Sequence, residues 1–97
     1  MSTPKAPPGT FTLLYFAAAT SYTRRQHDHL DAPLPVAALY DVLEKRYPGI
    51  RAKVLSSSAL TVNLDYVDVD EEGARGEAGM VIKEGDEVAV IPPVSSG

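Results

Sequence analysis

The chain has no cysteine and no tryptophan, and its longest apolar run covers only residues 13–19. Each of these absences excludes something. Without cysteine there is no disulfide, no thiolate nucleophile and no persulfide on a side chain, so any sulfur chemistry must use another group. An apolar run of this length cannot cross a bilayer, and no basic leader precedes it. The expectation is a cytoplasmic protein that does not enter membranes. Basic charge is scarce as well: nine Lys and Arg against 13 Asp and Glu give a net charge of −4. Nucleic acid is therefore excluded as the main partner, because binding phosphates takes a concentrated basic surface. The pair Arg24 and Arg25 suits a solvated turn.

What is present fits a single domain. The chain is 97 residues long, 44 % hydrophobic and 23 % charged, an ordinary globular mixture able to close one modest core. Residues 1–10 hold three prolines and a glycine and are expected to form a flexible extension, ahead of a domain at 11–93 and a tail at 94–97. Residues 11–17 read as a strand buried on both faces or nearly so. Residues 18–25 suggest a short helical turn, and 26–31 a second strand closing a hairpin with the first.

The clearest signal lies at residues 35–47. Val36, Leu39, Tyr40, Leu43 and Tyr47 recur at helical spacing, Pro35 suits a first helical position, and Pro48 with Gly49 stops the helix. Core packing is the expected role of both tyrosines. Residues 59–67 read as one strand, and residues 68–79, acidic with three glycines, as a connecting loop. Residues 80–82 and 87–91, around a Lys-Glu-Gly-Asp turn, read as a final hairpin-like element ending in a strand. The order strand, strand, helix, strand, strand predicts an α+β fold with one main helix packed on a mixed four- to five-stranded sheet.

Few side chains suggest chemistry. Asp68, Asp70, Glu71 and Glu72 lack the spacing of a calcium loop. His27 and His29 alternate on a strand and share one face, yet no further metal ligand accompanies them. A solvent-facing strand explains the pair, and no resident cofactor or metal is expected. Tyr22, Tyr66 and the serines form no nucleophile constellation with the histidines.

Residues 88–97 are different. None is charged. Pro92 and Pro93 end the hydrogen-bond ladder and favour a stiff, extended exit. The four residues after them are slim and span roughly 13 Å when extended. Gly97 puts no Cβ beside its carboxylate, which suits activation as an acyl adenylate and attack by a sulfur nucleophile. A frayed end of small residues is the competing explanation on physical grounds alone.

A resemblance is more specific than the glycine. Leu14, Tyr15, Phe16 and Ala17, then Tyr47, Pro48 and Gly49, then the run from Gly85 through Ile91, Pro92, Pro93 and Val94 resemble the small subunit of molybdopterin synthase. The resemblance covers residues 11–97 and leaves out the acidic segment at 68–79. It implies a β-grasp, ubiquitin-like fold and a place in molybdenum cofactor biosynthesis. It further implies that an E1-like adenylyltransferase uses ATP to adenylate Gly97 and that a sulfurtransferase step makes a thiocarboxylate. The large synthase subunit would then receive the tail and pass sulfur to cyclic pyranopterin monophosphate, in a heterotetramer. By position, Gly97 is the reactive residue, Val94, Ser95 and Ser96 are the threading tail, and Pro92 and Pro93 set its exit. Phe16, Val88 and Val90 are assigned to core ahead of interface. The catalytic lysine belongs to the large subunit. One departure stands out: the family usually ends in two glycines, and here Ser96 takes the penultimate place. Slimness at that position is expected to suffice.

Three other readings stay open at the level of sequence. A ubiquitin-related carrier for tRNA thiolation, or a thiamine-pathway carrier, would use the same fold and terminal glycine. A ubiquitin-like interaction module with an inert tail is the second, and Ser96 is its best support. A free-standing enzyme is the third and the weakest.

Overall fold

The first apolar run forms a strand, β1 (Thr10–Tyr15), in the computed structural model, which describes residues 5–93. Phe11, Leu13 and Tyr15 enter the core, while Thr12 on the opposite face is also buried. The strand stops before Ala17, which takes φ 49° and ψ −125°. There the Ala19 N–H donates to the Phe16 carbonyl at 3.0 Å, closing a turn into helix α1 (Ala18–Thr23). Strand β2 (His27–Asp31) then returns antiparallel to β1, with Leu13 opposite Asp28 and Phe11 opposite Leu30. This is the expected hairpin.

Helix α2 (Val36–Arg46) buries Val36, Leu39 and Leu43, the stripe that the periodicity marks. Tyr40 and Tyr47 are half-buried against the same core. Pro35 differs from expectation. It lies before the helix with φ −57° and ψ 136°, and this extended conformation pairs it with Val81. Leu34–Pro35 (β3) and Val81–Ile82 (β6) thus make a two-stranded ribbon at the start of α2. Gly49 turns the chain at φ +90°, and a Cβ there would lie 2.6 Å from the Tyr22 hydroxyl. Only glycine satisfies both demands. A short helix α3 (Ile50–Lys53) and a 3₁₀ turn (Leu55–Ser57) follow.

Three further expectations are corrected. Residues 59–67 are two antiparallel strands, β4 (Ala59–Val62) and β5 (Asp65–Val67), because Asn63 and Leu64 both adopt positive φ and reverse the chain. The acidic segment is largely helical. Asp68 caps α4 (Val69–Ala74) by accepting the Glu71 N–H at 3.0 Å, and Asp70, Glu71 and Glu72 occupy the first turn, where negative charge favours a helix. A second 3₁₀ turn (Gly76–Ala78) follows it. Finally, β6 and β7 (Glu87–Ile91) do not pair with one another. The turn between them is closed by Asp86, which accepts the Lys83 N–H at 2.8 Å, and Gly85 N–H donates to Thr10 carbonyl at 2.9 Å. These bonds send β7 into the main sheet.

That sheet has the order β2-β1-β7-β4-β5. β7 is its centre, parallel to β1 and antiparallel to β4. One face packs with the helices around Phe11, Leu13, Leu39, Leu43, Ile50, Leu60, Val88 and Val90. The result is the α+β arrangement expected, a main helix across a mixed five-stranded sheet. Among the described residues, no helix is long and apolar enough to cross a membrane.

Candidate functional site at the base of the C-terminal segment

Strand β7 carries the C-terminal segment out of the middle of the sheet. Val88 and Val90 are fully buried, so both belong to the core. Ala89 and Ile91 alternate onto the opposite face. Pro92 is buried and Pro93 exposed, so the chain reaches the surface between these two residues. Val94, Ser95, Ser96 and Gly97 lie outside the described residues.

The face opposite the helices is apolar around this exit. Leu14 sits beside Ala89 in the parallel pair, and Ala89 faces Thr61, which faces Tyr66. Leu14, Phe16, Thr61, Leu64, Tyr66, Glu87, Ala89 and Ile91 line one groove. Three of its apolar side chains are well exposed: Phe16 at 47 %, Leu64 at 84 % and Tyr66 at 76 %. Phe16 is therefore surface and not core, which corrects the assignment made from sequence. It shares the parity of Thr12 and Leu14 and therefore points away from the face that Phe11, Leu13 and Tyr15 bury. The sequence reading gave Leu14, Leu64, Tyr66 and Ile91 no surface role. One signal for them was available: the first strand is apolar at both parities of its alternation, so one of its faces must meet something besides the helical core.

Behind the groove, on the core side, a buried carboxylate ties the elements together. Asp28 is 1 % exposed and accepts hydrogen bonds from the Tyr15 and Tyr47 hydroxyls, both at 2.6 Å. Arg25 Nε approaches its other oxygen at 2.8 Å. Burial, then the hydrogen bond to Asp28, pushes the Tyr15 phenol far above its ordinary range. The same causes raise Tyr47. Both hydroxyls consequently remain protonated donors, and the cluster is a structural clasp with no free nucleophile.

His27 and His29 do share a face, with ring centroids 5.1 Å apart. Both are half-buried, and His29 Nε2 has no hydrogen-bond partner. Among the described residues, no group of three or more His, Asp or Glu side chains is placed to hold a metal. A second, wider hollow, lined by Tyr40, Arg51, Leu55, Tyr66, Asp68 and Asp70 among others, contains no residue of β7.

The ThiS family model matches residues 13–97, from β1 through Gly97. The chain belongs to the ThiS family. It is 55 % identical to the molybdopterin synthase sulfur carrier subunit of Phaeosphaeria nodorum over 97 residues, which is 100 % of both chains. Its fold is that of the small archaeal modifier SAMP1 of Haloferax volcanii, with a TM-score of 0.71 and 20 % identity over 92 % of this chain and 100 % of that one. It also matches a chain in the complex of subunits 1 and 2 of molybdopterin-converting factor from Helicobacter pylori. There the TM-score is 0.60 and the identity 18 %, over 91 % of this chain and 99 % of that one. The β-grasp architecture of this ThiS-family chain is thus the one its sequence resemblance implies.

Proposed function

We propose that this chain is the sulfur carrier of molybdopterin synthase and holds its sulfur on Gly97 as a thiocarboxylate. An E1-like enzyme joins the Gly97 carboxylate to the AMP of ATP, releasing pyrophosphate. A sulfurtransferase step displaces AMP with sulfur. The carrier then docks on the large synthase subunit, which receives residues 94–97 and passes the sulfur to cyclic pyranopterin monophosphate. ATP belongs to the activating enzyme, and the proposed setting is the cytoplasm. The observation that carries this reading is the 55 % identity across the whole length of both chains to a carrier subunit of that synthase.

The geometry supports each requirement. A tail that must thread a partner needs a fixed origin, and β7 has strand neighbours on both sides. Buried Pro92 and exposed Pro93 stiffen the exit, and four residues can reach at most roughly 13 Å when extended. Docking needs a contact surface continuous with that exit, and the apolar face of Phe16, Tyr66 and Ile91 adjoins it. We assign this face to the large subunit, since whatever receives the tail must cover its base. Ser96 is slim enough for the channel in this reading.

The test is the intact mass after incubation with the activating enzyme, ATP and a sulfur donor. The expected gain is about 16 Da, sulfur for oxygen, located on Gly97 by fragmentation and missing from a chain lacking Gly97. An unchanged mass, with a control carrier modified in parallel, contradicts the proposal and favours an inert tail.

A further inference from the structure

The turn between β4 and β5 breaks two local rules at a single residue. Val62 pairs with Asp65, so Asn63 and Leu64 form the entire loop. Their φ angles are 49° and 74°. Positive φ at both positions is the backbone of a type I′ turn, whose second position glycine ordinarily fills because a Cβ crowds the chain there. Asn63 is accounted for. Asparagine tolerates this conformation, and its side chain is held from both sides. Its Nδ2 donates to Asp86 at 3.1 Å and its Oδ1 accepts the Glu87 N–H at 3.0 Å. Leu64 has no comparable account. It carries a strained backbone, and its side chain is 84 % exposed, so this chain gains little burial in return.

Its position supplies the missing reason. Leu64 lines the same groove as Phe16, Tyr66 and Ile91. The residue that follows Phe16 shows a similar departure. Ala17, with φ 49° and ψ −125°, occupies a turn position that favours glycine. Two strained non-glycine turns therefore border one face. Strain of this kind persists where the surrounding structure gains something else from it.

We propose that Leu64 is an anchor for docking. It is an apolar knob, its backbone held out by a two-residue turn, that becomes buried in an apolar recess of the large synthase subunit. It thereby helps determine which large subunit the carrier fits. The inference rests on the function proposed above and adds one residue and its recess to it. Because the turn fixes the backbone at Leu64 before contact, docking loses little backbone entropy there.

The experiment compares the full chain with Leu64→Gly and Leu64→Asn, measuring thermal midpoint and affinity for the large subunit encoded in the same genome. Both replacements suit positive φ, so each variant is expected to melt higher, by roughly 4 °C. Affinity is expected to fall about thirtyfold, the loss of a buried anchor. A residue with a merely structural role does not move the two readouts in opposite directions. Affinity within about twofold of wild type overturns the inference, because an anchor's removal must weaken binding. A lower melting point in both variants overturns its premise of strain. If the wild-type chain itself fails to bind, the parent reading fails, whereas binding by wild type and variants alike removes Leu64 alone.

Discussion

Asp28 joins three elements through one carboxylate. It sits on β2, takes hydroxyl donors from β1 (Tyr15) and from the end of α2 (Tyr47), and pairs with Arg25 at 2.8 Å. Removing the acceptor leaves the Tyr15 hydroxyl buried without its partner and Arg25 without its counter-charge. Asp28→Ala is predicted to lower the unfolding free energy by about 3 kcal/mol, read from urea denaturation. A loss below about 1 kcal/mol would show that the clasp adds little. Glu44 makes a different residue-scale case. Its carboxylate accepts the Gly49 N–H at 2.7 Å and the Arg51 N–H at 3.0 Å, and these bonds hold its pKa below the ordinary 4.5. A folded-state pKa lower than the unfolded one stabilises the protein above the unfolded value. That contribution is lost as pH falls through the folded value. The stability gap between wild type and Glu44→Gln should therefore be full at neutral pH and shrink on going to about pH 3. Melting curves at the two pH values check this, and a gap that stays constant contradicts it.

At the scale of elements, legibility followed the length and regularity of the pattern. Helix α2 was legible because Val36, Leu39 and Leu43 fall on one stripe over about two turns. The β1–β2 hairpin was legible from its two short runs. The β4–β5 hairpin was not, because its turn carries leucine where the usual signal is glycine, so nothing punctuated residues 59–67. Helix α4 was hidden for a related reason. It buries no residue, so it has no apolar stripe, and only its cap and its acidic first turn mark it. That dependence is testable. Asp68→Ala removes the acceptor of the Glu71 N–H and is predicted to cost about 1 kcal/mol locally. Hydrogen exchange should show faster exchange at Glu71 and its neighbours with little change in the central strands; unchanged protection contradicts the capping role. The placement of β7 was illegible as well. A strand parallel to β1 and antiparallel to β4 depends on pairings between distant segments, which no local window contains.

For the whole molecule, the sequence singled out the C-terminal segment and left out the surface beside its base. The uncharged tail and its two prolines were readable from residue type alone. The apolar face was not, because Phe16, Leu64, Tyr66 and Ile91 come from separate segments and meet only when β7 takes the centre of the sheet. That arrangement joins a stiff exit to a contact face, as a carrier requires. It has to be recognised by its partners and still leave its terminus free to enter them. The central claim is that sulfur held on Gly97 reaches the pterin, and one measurement tests it most directly. The thiocarboxylated chain is mixed with its large subunit and cyclic pyranopterin monophosphate, and both the carrier's mass and the pterin product are followed. The account predicts that molybdopterin forms while the carrier loses about 16 Da and returns to the carboxylate. A carrier that binds the large subunit but keeps its sulfur, while a control carrier turns over, would contradict it.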